Sequence, residues 1–150
     1  MRKLFLFIAV VTLGFTTSCS SDDDNNTDPR DKYVGTWQSK NIGSLTIYHN
    51  GESIGTAPID ETGTMVISKA GENNLNIEGK IFTLNGNSLT TSPESFTQTQ
   101  DGVNMVGTAV YSGQTGSEII TINSDITGTW SHTNGNTGNF SGTAVWTLTK

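Results

Sequence analysis

The chain has 150 residues, a formal net charge of −6, one cysteine, 17 Gly and 3 Pro. This length is a prior for a single domain. One cysteine excludes an internal disulfide framework or a multi-cysteine metal knuckle, and the acidic balance argues against nucleic acid, whose binding needs a basic face to displace counterions.

Arg2 and Lys3 form a short basic start, and Leu4 to Phe15 is a nearly unbroken apolar run of twelve residues. Twelve helical residues reach about 18 Å, short of a hydrocarbon core of roughly 30 Å. Residues 1–18 therefore read as a cleaved signal peptide and not as a membrane span. Thr16-Thr17-Ser18-Cys19 closes the segment and resembles the lipobox of bacterial lipoproteins. The resemblance implies cleavage before Cys19, a diacylglyceryl group on its sulfur and acylation of the new amine. Each buried CH₂ of such chains adds about 0.8 kcal/mol, so two or three chains hold where one does not.

Losing Arg2 and Lys3 leaves six basic residues against fourteen acids, a charge of −8. Residues 19–32 carry five of those acids and almost nothing to bury. They read as a disordered acidic tether with an r.m.s. reach of roughly 20 Å. Within it, Ser21-Asp22-Asp23-Asp24 follows the cysteine closely. That run resembles the export signal of surface lipoproteins in certain Gram-negative bacteria, which implies the outer face of the outer membrane. The alternative is a charge run that merely keeps the tether extended beneath the membrane.

Residues 33–150 form the folded domain, rich in Thr, Gly, Asn, Ser, Val and Ile. Thr, Val and Ile suit strands, the others turns, and no stretch carries a helical stripe. Strands are expected at Tyr33–Lys40, Ser44–His49, Glu52–Ile59 and Thr64–Lys69. Pro58 marks the third as an edge or short strand, and Asp60-Glu61 reads as the start of a turn before Gly63. Asn50-Gly51, Asn85-Gly86 and Asp101-Gly102 are hairpin signals, because their residues tolerate positive φ. A slip of parity between Ile77 and Phe82 predicts a bulge or turn near Gly79. Ser88–Thr91 and Ser95–Thr99 are short. Val103–Tyr111, Ser117–Asn123 and Ile126–His132 follow, and Asn134-Gly135-Asn136 turns the chain into its clearest strand. There Phe140, Gly142, Ala144, Trp146 and Leu148 share one face. About eight to ten such strands joined by short turns predict an all-β fold, a small antiparallel barrel or else a β-sandwich.

Gly35-Thr36-Trp37 recurs as Gly128-Thr129-Trp130, and Gly107-Thr108-Ala109-Val110-Tyr111 as Gly142-Thr143-Ala144-Val145-Trp146. Similar demands on similar strands explain both echoes: glycine for close packing, then an aromatic to fill space. Tyr33-Val34-Gly35-Thr36-Trp37 also resembles the opening of lipocalin-like, calycin-type barrels. The resemblance implies that Trp37 plugs the closed end of a barrel, that Lys150 on the last strand lies across its ring, and that an open mouth takes an apolar ligand.

Catalytic signals are lacking. His49 and His132 each stand beside a turn and read as solvated, with no spacing that makes them a metal site. There is no Gly-x-Ser-x-Gly elbow, and the Asn-Gly turns do not precede a helix as a phosphate loop requires. The expectation is a binding protein with no enzymatic activity, cofactor or metal. Its partners are the membrane, through Cys19, and a small apolar or amphipathic ligand. The second reading is a glycan- or protein-binding sandwich, with Trp130 and Tyr111 as candidate contact residues because aromatic rings stack on sugar faces.

Overall fold

The computed structural model describes residues 28–150. After a 3₁₀ turn at Asp31–Tyr33, the chain forms β1 (Gly35–His49), β2 (Glu52–Ala70), β3 (Asn74–Ile77), β4 (Lys80–Asn85), β5 (Ser88–Thr90), β6 (Glu94–Gln100), β7 (Val103–Thr115), β8 (Ile119–His132) and β9 (Thr137–Thr149). All neighbours are antiparallel, in the order β5-β4-β3-β2-β1-β9-β8-β7-β6. A further pairing of β5 with β7 closes the sheet into a ring. A single continuous sheet that meets itself is a small β-barrel, and the alternative of two stacked sheets is set aside.

The ring closes over only part of its height. β5 takes Ser112–Gln114 of β7, while β6 takes Val103–Ala109 of the same strand. On the other side, β3 covers only Ile67–Ala70 of β2. The rest of β2 has β1 as its one strand partner, with Val66 also bonded to Glu78 of the β3–β4 turn. At one end, then, eight strands form a closed wall; at the other, β2 and β6 are two free edges of an open trough. Pro58 lies in the stretch of β2 paired only with β1, where a missing N–H interrupts no second ladder.

Three pairs of expected short strands are each one long strand. Tyr33–Lys40 and Ser44–His49 merge into β1 of 15 residues, and Glu52–Ile59 and Thr64–Lys69 into β2 of 19. Ser117–Asn123 and Ile126–His132 merge into β8. The polar or glycine residues between them read as turns, but cross-strand bonding overrides that local preference. Asn41-Ile42-Gly43 pairs with Glu61-Asp60-Ile59 on one side and Trp146-Val145-Ala144 on the other. Asp60-Glu61 is thus mid-strand, not the start of a turn. The break near Gly79 is a hairpin turn with both central residues left-handed, Glu78 at φ 50° and Gly79 at φ 83°, as type I′ geometry requires.

Alternation sorts the side chains. At the closed end Trp37, Ile67, Leu75, Ile77, Phe82, Leu89, Ile120, Ile122 and Leu148 fill the interior, each no more than 1% exposed. A second cluster of Leu45, Ile59, Met105, Phe140 and Ala144 lies in the trough, flanked by Phe96, Ile126 and Trp130. Glycine lets the wall pinch between β1 and β9. A Cβ on Gly142 would lie 2.0 Å from the Ser44 carbonyl oxygen, and one on Gly43 2.1 Å from that of Thr143.

Asp28 to Lys32, expected to belong to the tether, are docked on the closed end. Arg30 clasps Asp28 with Nη2 at 2.7 Å and donates from Nη1 to the Gly71 carbonyl at 2.6 Å. Lys69 reaches Asp31 at 2.6 Å. The charge run that looked like linker thus ends in a clasp around the β2–β3 turn. The guanidinium of Arg30 holds the Asp28 carboxyl well below the ordinary carboxylate range.

Candidate ligand-binding site

Cys19, Ser21, Asp22, Asp23 and Asp24, with the signal segment and most of the tether, lie outside the described residues. Trp37 is completely buried at the closed end, and its indole N–H donates to the Tyr33 carbonyl at 2.7 Å. The Lys150 ammonium stands 5.4 Å from the centre of the Trp37 ring and donates to the Lys32 carbonyl at 2.7 Å. Tyr111 and Trp130 are far apart in role. Trp130 sits in the trough near its rim, its N–H given to the Tyr48 carbonyl at 3.0 Å and its ring 6.0 Å from His49. Tyr111 lies at mid-height inside the barrel.

Around Tyr111 is a layer of inward polar groups between the two apolar clusters. Its ring packs on Trp146 at 5.4 Å and on Phe82 at 6.2 Å. The Lys80 ammonium lies 5.0 Å from its ring centre and is paired with Glu94. Burial pushes the Tyr111 phenol up, and the neighbouring Lys80 charge partly offsets that. For Lys80, burial is the strongest single effect and works against the ammonium, but hydrogen bonding and charge from Glu94 and Tyr111 together outweigh it and the net shift is upward.

On the β1–β2 side of the same layer are Ser39, Asn41 and Glu61. Asn41 is 6% exposed, and its amide donates from Nδ2 to Glu61 at 3.4 Å. That bond fixes which way the amide points, because a carbonyl cannot face the carboxylate. Asn41 Oδ1 is then left buried with no hydrogen-bond partner. An unsatisfied buried acceptor costs about 1–3 kcal/mol, so the orphan carbonyl marks a place where a donor belongs.

Inward glycines locate the free space. Those of β7, β8 and β9 are tight; a Cβ on Gly107, Gly128 or Gly142 would lie within 2.9 Å of several neighbouring atoms. On β2, Gly55 and Gly63 face the same interior, yet a Cβ on either meets nothing within 4 Å. Both glycines are exposed, so the interior face stands open to solvent along the free edge of β2; this open strip, the slot, runs from Gly55 past Ala57 and Ile59 to Glu61 and Gly63, with Asn41 opposite Glu61 at its inner end.

Two hollows lie on the outer surface. One, of about 280 Å³, is lined by Asn104, Thr129, Ser131, Thr137 and Asn139 beside Trp130. The other, of about 700 Å³, is lined by residues 38–40 of β1 and 62–64 of β2, Ser39 and Gly63 among them, together with Thr147 and Thr149 of β9. Both are shallow and hydroxyl-rich.

His49 and His132 are half-buried and committed locally. His49 Nδ1 is 2.7 Å from the Thr137 carbonyl, and His132 Nδ1 accepts from the Asn134 amide at 3.0 Å. Among the described residues, no group of three or more His, Cys, Asp or Glu side chains is arranged to hold a metal ion, and no helix is long and apolar enough to cross a membrane.

Asn41, Glu61, Lys80 and Glu94 escaped the reading of the sequence. Their signal is a polar residue at an inward parity, as in Trp37-x-Ser39-x-Asn41-x-Gly43-x-Leu45. Splitting β1 at that point turned the signal into a loop. No protein-family model matches this chain, and comparison with curated proteins finds no match.

Proposed function

We propose that the protein is a lipid-anchored surface lipoprotein whose lipocalin-like barrel binds, without transforming, a small amphipathic ligand in the slot along β2. The observation that carries this reading is the slot itself: apolar walls at Ala57 and Ile59, open space at Gly55 and Gly63, and a buried unpartnered carbonyl at its inner end. Small-molecule sites combine a mostly apolar lining with a few placed polar groups in this way. The filled closed end supports a ligand path from the open side. The chain reaches the barrel at that closed end, through Asp28 to Tyr33. A lipid on Cys19 would then hold the closed end toward the membrane and turn the trough outward.

The test is a titration of the chain from Ser20 onward with decanol, decanoate and retinol, followed by tryptophan fluorescence. A saturable change is expected, since Trp146 stands beside the polar layer. No saturable response to any of the three refutes the reading. The anchor is tested separately: metabolic labelling with palmitate should be lost in Cys19→Ala.

Glycan binding is the second reading, and the hollow beside Trp130 favours it with five hydroxyl or amide side chains. Oligosaccharide binding that survives blocking of the slot would support this alternative.

A further inference from the structure

Resting on the slot as the binding site, we infer that its inner end is a head-group subsite for a primary alkylammonium. The subsite is built from Ser39, Asn41, Glu61 and Gly63. Ser39 is the cross-strand partner of Gly63, and Asn41 that of Glu61. All four face inward, two residues apart along each strand, so they form one square of the interior wall. Gly63 leaves the space, with nothing within 4 Å of where its Cβ would be. The other three supply oxygens: the Ser39 hydroxyl, the orphan Asn41 carbonyl and the Glu61 carboxylate.

The chemistry of the square is one-sided. Asn41 offers an acceptor: its Nδ2 gives one N–H to Glu61, which turns Oδ1 away from the carboxylate and leaves it without a partner. Glu61 has no cationic partner within salt-bridge distance among the described residues, whereas the interior cation Lys80 is held by Glu94. An alkylammonium carries three N–H donors and one positive charge, which matches three acceptors and one uncompensated carboxylate. A carboxylate head group would meet Glu61 as a like charge, and an alcohol would satisfy the orphan carbonyl but leave Glu61 unpaired. The apolar tail has its own track, since Ile59 and Ala57 continue the same inward row of β2 toward Gly55.

The test compares decylamine, decanol and decanoate, all below their micellar concentrations, by titration calorimetry on the chain from Ser20 onward. Decylamine is expected to bind about tenfold or more tighter than decanol, with decanoate weakest. Glu61→Gln should erase the preference for the amine, bringing decylamine affinity down to that of decanol. Gly63→Val should weaken all three by filling the space, with thermal unfolding monitored to show that the variant is folded. Equal binding of decylamine and decanol overturns the head-group assignment while leaving the slot as a binding site. Loss of decanol binding in Glu61→Gln overturns it as well, because the side chain would then act on the wall and not on the charge. No binding of any probe overturns both. A crystal structure grown with decylamine that shows only water at Asn41 Oδ1 also overturns the subsite.

Discussion

Gly142→Ala and Gly63→Ala make the same chemical change on the same interior face, and they should have opposite signs. At Gly142 the added methyl would lie 2.0 Å from the Ser44 carbonyl oxygen, 2.8 Å from Leu45 Cα and 2.8 Å from Leu45 Cδ2. Two of those three atoms are backbone, held in the β1–β9 ladder by the Leu45–Gly142 pairing. Relief therefore needs the strands to part by about 1 Å, with loss of dispersion contacts around Leu45. Overpacking of this kind costs about 1–3 kcal/mol, and the rigid partner places Gly142→Ala at the upper end. At Gly63 the methyl meets nothing within 4 Å, and the backbone there is not left-handed. Ala then only narrows the unfolded ensemble and should stabilise by about 0.4–1 kcal/mol. Urea unfolding followed by tryptophan fluorescence gives both values on one scale. If Gly63→Ala destabilises as much as Gly142→Ala, the distinction between a pinched wall at β1–β9 and an open one at β2 is wrong.

Trp37→Ala should lose about 3–5 kcal/mol, because the whole ring is buried and its N–H is bonded; a loss under about 1 kcal/mol would deny it a place in the core. Lys80→Met removes the charge that offsets burial at Tyr111, so the Tyr111 phenol should ionise at still higher pH in an ultraviolet titration. Asp28 should titrate below the ordinary carboxylate range in a carbon-detected NMR titration, and in Arg30→Ala its midpoint should rise toward the unperturbed value. Because the folded-state pKa is the lowered one, the clasp's contribution is present above the unfolded carboxylate pKa, near 3.9, and is lost as pH falls through the folded value. Asp22, Asp23 and Asp24 changed together to Ala should reduce protease access on whole cells, and unchanged access would remove the export-signal assignment.

Much of the barrel was legible because its two signals are local. The Asn-Gly and Asp-Gly turns declare positive φ, and Asn50, Asp101 and their glycines adopt it. Alternation was equally plain where one face is wholly apolar, as from Phe140 to Leu148. The readable signals failed where the interior is polar. Ser39, Asn41 and Glu61 break the apolar rhythm, so β1 and β2 seemed to stop where they run on. The Arg30 clasp was hidden for a related reason: an acidic, proline-containing stretch resembles linker until its cation meets the Gly71 and Asn74 carbonyls. What the local pattern lacks is the long-range partner that satisfies a polar group.

The pairing of the first strand with the last bears on how fast the molecule assembles. Gln38 bonds opposite Thr149 and Tyr48 opposite Asn139, so the ladder joining β1 to β9 waits for nearly the whole domain to be present. Contacts of such sequence separation bring β-rich folds into the range of milliseconds to seconds, slower than helical chains of equal size. A chain that emerges with its first strand leading holds that strand unpaired on its β9 side until the final one arrives. Early hairpins, β1 with β2 and β7 with β8, can form at once around their tight turns. Ring closure is then the late event, and a chain halted before β9 would leave open edges exposed to other chains.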